Sequence, residues 1–524
     1  MDEHPKNSID TIFSCVIPYI NDGADRNSVS LVCRKWYELD CMTRKHVTVH
    51  IIYSPTPSRL VQRFPFLESL TLNGLPVWFK RKSSIDITPW IQEISISYKF
   101  LKELHIRLVD VRDSDLELLT RTRGKDLRVL KISKCKGLST DGLMHIGKYC
   151  NNLRTLCLKG NLVGEKDGKW LHELALHNTR IESLNFRYSV FEYDDKDLTL
   201  LAKNCSQSLV SLKITGGRLD HIVDVFSYAI KLELFVGGEW DYFHCEADQE
   251  YVGFKLPPHM RYIGISELTS HLFPLVLPFA HQVRELDLLY ASLNLDDQCF
   301  LIERCPNLEV LCISDRFVDR GLQVTGQFCK KLRKLYTYIT EIPLVYESVI
   351  DTGLIALAQG CIELEYLHIE VTDISNETME CIGTHLKNLR DFDMILRHKD
   401  SKKTLPLDNG IRAILTGCSK LERLGVSLWS KGLTDVGLGY IGRYGHNLRF
   451  LYLGSVGESD AGLVELSMGC PKLRELQIQG CPFSKQAIAT FWFNTHSLRY
   501  MWVCGDCGDE PLEMTRSNFE QVIL

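Results

Sequence analysis

The chain has 524 residues, 45% hydrophobic and 24% charged, with a formal net charge of -5 at pH 7. That composition is globular, with more chain than one small core requires, and the absence of long basic or acidic runs disfavours a general grip on nucleic acid. Residues 1–20 lack the basic start and unbroken apolar centre of a secretion signal, and no apolar run of roughly 18 residues suggests a membrane span. The 19 cysteines therefore read as reduced thiols in the nucleus or cytoplasm rather than as a disulfide framework.

Residues 9 to 48 come first and form a segment of their own. Ile9, Ile12, Phe13, Val16, Ile17 and Ile20 recur at helical spacing, and two further amphipathic stretches follow. The run Ser30-Leu31-Val32-Cys33-Arg34-Lys35-Trp36 resembles the core of an F-box. That small all-α module binds a Skp-type adaptor and so joins a cullin-RING ubiquitin ligase. The resemblance assigns adaptor contact to Ile12, Val16, Ile20, Leu31, Val32, Cys33 and Trp36. The competing reading is a helical cap that shields the first repeat from water. The first helix lacks the family's usual Leu-Pro opening, and Ser14 stands where relatives often carry an acid, so a weakened adaptor grip is expected.

From about residue 66 to about residue 503 one pattern recurs. Leu67-Glu-Ser-Leu70-Thr-Leu72, Leu127-Arg-Val-Leu130-Lys-Ile132 and Leu473-Arg-Glu-Leu476-Gln-Ile478 share the template L-x-x-L-x-L/I/V, a short strand. Between strands lie helical stretches opened by Ser or Thr, as at Ser139, Thr434 and Ser459, where a side-chain oxygen can take up a free amide of the first turn. Many helices end on cysteine: Cys150, Cys205, Cys305, Cys329, Cys361, Cys418 and Cys470. A small apolar residue at one recurrent buried site explains them better than metal or redox chemistry. The fold class is thus α/β, a leucine-rich-repeat solenoid behind a small all-α F-box. The boundaries are 1–48 for the adaptor-binding helices, 49–503 for the solenoid and 504–524 for a short tail. Trp78 to Thr88, Trp240 to His259 and Tyr336 to Val349 break the period and read as long loops.

Longer stretches resemble the coronatine-insensitive jasmonate receptors of plants. They include Gly168 to Ala175, Glu285 to Ala291, Gly353 to Cys361, Thr404 to Gly410 and Ser497 to Val503. The resemblance implies the substrate-receptor subunit of a ubiquitin ligase. Such a receptor holds jasmonoyl-isoleucine above an inositol polyphosphate and grips a repressor protein. Its partners would be the adaptor, the cullin and that repressor, with no nucleic acid or membrane and no covalently bound cofactor. The implied ligand positions are Val77, Trp78, Ser314, Glu370, Asp393, Ser427, Phe450, Tyr452, Glu475, Gln479 and Trp502. Arginines or lysines of the family fall on Val77, Ser314, Asp393, Glu475 and Gln479. Tyrosines fall on Glu370 and Ser427, and Trp502 is retained. Losing one partner of a close, desolvated charge pair costs about 2–5 kcal/mol, so hormone sensing is expected to be largely lost. The resemblance also implies a longer C-terminus than Leu524 allows, and a last repeat that frays for want of a polar cap.

No Gly-rich phosphate loop, HExxH or Gly-x-Ser-x-Gly is present, so no catalytic residue is assigned. Cys504 and Cys507 form a lone Cys-x-x-Cys without a second pair nearby in sequence, so no metal ligand is assigned either. The alternative to a receptor is a degenerate interaction scaffold without hormone sensing or a ligase role.

Overall fold

A strand of the L-x-x-L-x-L type buries every second side chain, and a turn of chain that carries one such strand and one helix cannot cover that row alone. Stacking the turns solves this, and the chain does so in two compact units, Met1–Gly238 and Glu239–Leu524. The computed structural model describes residues 15–20, 23–53, 56–75, 85–166, 168–189, 191–217, 219, 221–238, 255–265, 268–314, 319–339, 351–396, 406–428, 432–504 and the backbone of 512–514.

The first unit opens with the helices α1 (Gly23–Ser30) and α2 (Arg34–Thr43). The strands of one ladder follow: β1 (His46–His50), β2 (Ser69–Asn73), β3 (Glu103–Arg107), β4 (Val129–Ser133), β5 (Thr155–Cys157), β6 (Ser183–Asn185), β7 (Ser211–Lys213) and β8 (Leu234–Val236). Each pairs in parallel with the next. In register, Leu70, Leu104, Leu130, Leu156, Leu184 and Leu212 form one buried row.

The second unit repeats the design with β9 (Tyr262–Gly264), β10 (Glu285–Asp287), β11 (Val310–Ser314), β12 (Lys334–Tyr338), β13 (Tyr366–Val371), β14 (Asp391–Leu396), β15 (Arg423–Ser427), β16 (Phe450–Gly454), β17 (Glu475–Gln479) and β18 (Tyr500–Cys504). All are parallel to their neighbours. A last strand, β19 (Leu512–Met514), runs antiparallel along β18 and covers its edge. Met501 and Trp502 are fully buried. The last described repeat is therefore closed on its open side, where a frayed one was expected.

The predicted loop at Tyr336 to Val349 needs correction as well. Tyr336 to Tyr338 belong to β12, because Leu335 and Thr337 are buried in strand alternation; 340–350 lie outside the described residues. In the first break, Asp86 already bridges in parallel to Asp110 and Thr88 starts a helix. Most of the second, 240–254, is not described.

Three sequence signals explain how the turns lock together. Ser139, Thr434 and Ser459 each accept a hydrogen bond from an amide in the first turn of their own helices. The aspartate that follows reaches the next repeat: Asp435 accepts from the Glu458 and Ser459 amides at 2.9 and 3.1 Å and from Ser459 Oγ at 2.5 Å. Burial pushes the Asp435 carboxyl up, but these hydrogen bonds outweigh it and hold the pKa below the usual value. Asp460 meets Ser484, and Asp408 meets Thr434, in the same way.

The second signal is the Gly-Cys pair at helix ends. A Cβ on Gly469 would collide with the Gly442 carbonyl oxygen, so glycine lets neighbouring helices approach there. The seven expected cysteines are all buried. The Cys361 thiol lies 3.3 Å from the Cys329 carbonyl oxygen and the Cys470 thiol 3.4 Å from that of Ile441, each one repeat back. Burial pushes the Cys150, Cys305, Cys361 and Cys470 thiols up to about 12, and the Cys329 thiol up as well.

The third signal is charge at the residue just before each strand of the second unit. These residues are joined strand to strand by backbone hydrogen bonds. From β10 to β16 they alternate: Arg284, Glu309, Arg333, Glu365, Arg390, Glu422, Arg449. Ion pairs follow the alternation, with Arg284–Glu309 at 3.3 Å, Arg333–Glu365 at 2.5 Å, Arg390–Glu422 at 3.3 Å and Arg449–Glu422 at 3.8 Å. At β17 and β18 the alternation stops and gives Arg474 and Arg499.

Candidate functional site

Two surfaces carry the residues singled out in the sequence. The first lies on the N-terminal helices of the first unit. Asp40 of α2 is completely buried, and two arginines neutralise it: Arg26 Nε donates to Oδ1 at 2.7 Å and Arg44 Nη2 to Oδ2 at 2.8 Å. Arg26 also donates to the Ile17 carbonyl at 2.5 Å, and Arg44 to Asn27 Oδ1 at 2.8 Å. A buried carboxylate with both oxygens engaged holds the short helices together where their apolar area alone is small.

That internal network frees apolar side chains for the surface. Leu31 is 84% exposed, Val32 61% and Val16 48%, and Cys33 beside them is exposed. Leu31 and Val32 sit in the turn between α1 and α2. Trp36 and Ile20 are half-buried, so they support this patch more than they present it. Ile17 is buried. Ile12 lies outside the described residues. Tyr19 is also 80% exposed and was not singled out from the sequence, although it falls in the same apolar helical stretch as Val16.

The second surface is the face of the second ladder turned away from the buried leucines. Strand register gathers the expected ligand positions there in three rows. Asp393, Tyr452 and Trp502 share a row with His368, Gly425 and Gln477. Phe450 and Glu475 align with Asp391, Arg423 and Tyr500. Glu370, Ser427 and Gln479 align through Ile395 and Gly454, and Ser314 pairs with Tyr338. Val77 and Trp78 lie outside the described residues. Trp502 is fully buried and Ser314 is 5% exposed, so these two positions add no open surface to the face.

The polar groups of this face are engaged with one another. His368 Nδ1 lies 2.8 Å from Asp393 Oδ2. Its Nε2 lies 3.8 Å from Glu370 Oε1, an electrostatic contact too long for a hydrogen bond. Burial pushes the imidazole pKa down, but Asp393 and Glu370 override it and raise the value to about 9, so His368 is a cation at neutral pH. Glu370 Oε2 accepts from the Ile339 amide at 3.1 Å.

Arg423 Nε pairs with Asp391 at 3.1 Å while its guanidinium lies 3.9 Å from the centroid of the Phe450 ring. Tyr452 donates to Gln479 Oε1 at 2.9 Å, and Gln477 donates to Glu475 Oε1 at 2.7 Å. His368, Asp391 and Arg423 escaped the sequence reading, because their partners are a whole repeat away and only the register brings them together. Among the described residues no cluster of His, Cys, Asp or Glu could hold a metal ion. The arrangement suits binding by shape and compensated charge.

Comparison with known proteins gives this geometry a family. Residues 5–46 match the F-box family. Over 528 residues the chain is 45% identical to coronatine-insensitive protein 1 of Arabidopsis thaliana, covering 97% of this chain and 88% of that protein. It is 40% identical over 510 residues to coronatine-insensitive protein homolog 1a of Oryza sativa subsp. indica, covering 95% of this chain and 84% of the relative.

Proposed function

We propose, from the premise that this chain belongs to the coronatine-insensitive family of F-box and leucine-rich-repeat proteins, that it is a ligase substrate receptor that does not depend on hormone. Its role is non-catalytic: the substrate-receptor subunit of a Skp–cullin–F-box ubiquitin ligase in jasmonate signalling. The exposed Val16, Leu31 and Val32 form the adaptor surface. The ladder face of the second unit receives a repressor-type protein. Nucleus and cytoplasm are the compartments that suit this work.

The observation that carries the hormone-independent part is the charge of the ladder face. A carboxylate hormone seated on an inositol polyphosphate requires several cations with free donors. The described positions supply Glu370, Asp393 and Glu475 instead, and the cations present, His368 and Arg423, already serve Asp393 and Asp391. These residues do not fit such an anion stack. An anion here would have to displace an existing carboxylate partner, and each 1.4 kcal/mol lost is about tenfold in affinity.

The test is a pull-down of a jasmonate repressor by the chain in complex with its adaptor, with and without jasmonoyl-isoleucine. Capture that is equal in both arms is the expected result. Capture that needs sub-micromolar hormone would overturn the hormone-independent reading. Failure to bind the adaptor at all would replace the receptor reading with a degenerate interaction scaffold.

A further inference from the structure

We propose that the rim formed by Phe66, Ile96 and Phe100 is a second docking point for the ligase adaptor, continuous with the N-terminal helices; this rests on the receptor reading above. The residue just before the first leucine of each strand template sits in the turn between a helix and its strand. In the first two templates it is Phe66 and Phe100. In every later one it is polar, as in Asp126, Asn152, Arg180, Asn307, Glu363 and Asn447. Polar residues have a structural use there. Asn152 Nδ2 donates to the Lys125 carbonyl at 2.9 Å, and Lys331 Nζ donates to Asn307 Oδ1 at 2.7 Å, each joining one repeat to its neighbour.

The two phenylalanines give up that use and turn apolar area to solvent instead. Their ring centroids lie 5.6 Å apart, and Phe100 is 51% exposed. Ile96, in the last turn of the helix Thr88–Ser97, is 74% exposed. Arg123 Nη2 donates to the Ile96 carbonyl at 3.1 Å, which fixes that helix end while the side chain stays in water. Apolar side chains grouped at one edge gain free energy when a partner covers them.

The place of the rim in the first unit identifies its occupant. Lys45, just past the end of α2, reaches the Phe66 carbonyl at 3.4 Å and holds its ammonium 5.9 Å from the centroid of the Phe66 ring. The Arg63 guanidinium lies 5.0 Å from the ring of Tyr37 on α2 and 4.9 Å from that of Phe64. Tyr37 is itself 41% exposed. A protein seated on α2 therefore meets the first two templates next, and those are the two that carry phenylalanine. Charge at the rim specifies the edge of that partner. Lys45 and Lys102 share Glu68 at 3.1 and 2.5 Å, and Lys99 adds an exposed cation between Ile96 and Phe100 in the chain. The adaptor segment that fits presents an apolar side chain flanked by carboxylates.

The test is calorimetric titration of the full chain with a purified Skp-type adaptor. Phe66→Asn combined with Phe100→Asn gives both turns the residue that Asn152, Asn307 and Asn447 supply at the same place in later repeats. The double variant is expected to keep its circular dichroism and to bind the adaptor at least about tenfold more weakly. Ile96→Lys, at an exposed helix end, is a second variant with an expected loss of at least about threefold. Arg121→Gln, at an exposed ion pair of the same unit, is expected to change nothing. Full adaptor affinity in both rim variants, beside its loss in Leu31→Asp, would overturn the second docking point and leave the receptor reading standing. An adaptor that ignores Leu31→Asp as well, or does not bind the natural chain, would overturn both. Sedimentation equilibrium of the chain alone checks for a second copy: a dimer that the rim variants abolish would assign the rim to self-association and overturn the adaptor assignment.

Discussion

The N-terminal helices and the ladder face of the second unit solve opposite problems. In the helices, charge is inside and grease is outside: Asp40 sits between Arg26 and Arg44 while Leu31 and Val32 face solvent. On the ladder face the leucines are inside and the charges outside, and those charges are satisfied locally by His368 and Arg423. An exposed apolar patch gains free energy only when a partner covers it. A charge-compensated face gains little from a charged ligand, because every new contact replaces an old one. The comparison teaches that the helices leave apolar side chains in solvent for a partner to cover, whereas the charges of the ladder face pair with one another.

Four measurements would break or sharpen that contrast. The largest effect is expected from Asp40→Ala, which strands two buried guanidinium groups. It should cost about 3–5 kcal/mol in the N-terminal helices and abolish adaptor pull-down; a folded, adaptor-binding variant would remove the buried network from the account. Leu31→Asp should leave the helical circular dichroism unchanged and weaken adaptor binding by about 2 kcal/mol or more. Unchanged affinity would show that the exposed patch is not the docking surface.

On the ladder face, His368→Gln tests the internal cation. The folded pKa of His368 is raised from 6.5 to about 9, so its contribution is fully present below pH 6.5 and is lost as the pH rises through 9. The stability gap between the natural chain and His368→Gln should be on the order of 2 kcal/mol at pH 6 and close by pH 10, read by urea denaturation. A gap that widens with pH would contradict the ion triad. The smallest effect belongs to Ser459→Ala, which removes a helix cap and one of the three Asp435 hydrogen bonds between repeats, at about 1 kcal/mol.

How much of this could be read from the sequence depended on the range of the interaction. The leucine rows, the Ser and Thr caps and the buried cysteines repeat within a single turn, so local spacing exposes them. The F-box segment was legible because Leu31, Val32 and Trp36 fall in one short run. The Arg26–Asp40–Arg44 network was not: Asp40 and Arg44 stand at i,i+4 spacing, but Arg26 comes from the other helix, 14 residues before Asp40, and nothing local marks it as the second partner. His368 and Asp393 are 25 residues apart, and only the strand register joins them. Tyr336 to Tyr338 were misplaced in a loop because their aromatic side chains mask the alternation of Leu335 and Thr337. The charge code at the strand starts was present in the second position of the leucine template, where Arg and Glu trade places. It acquires meaning only once the strands stand side by side.

The stacked cysteines have one more consequence. A thiol with a pKa near 12 is almost wholly protonated in the folded protein at pH 8, and only the thiolate alkylates at a useful rate. Cys150, Cys305, Cys361 and Cys470 are thus a set of silent tags along the chain, one per turn. Brief exposure to iodoacetamide during gentle denaturation, read by peptide mass, would reveal the order in which these turns open, without introducing a new cysteine into the protein.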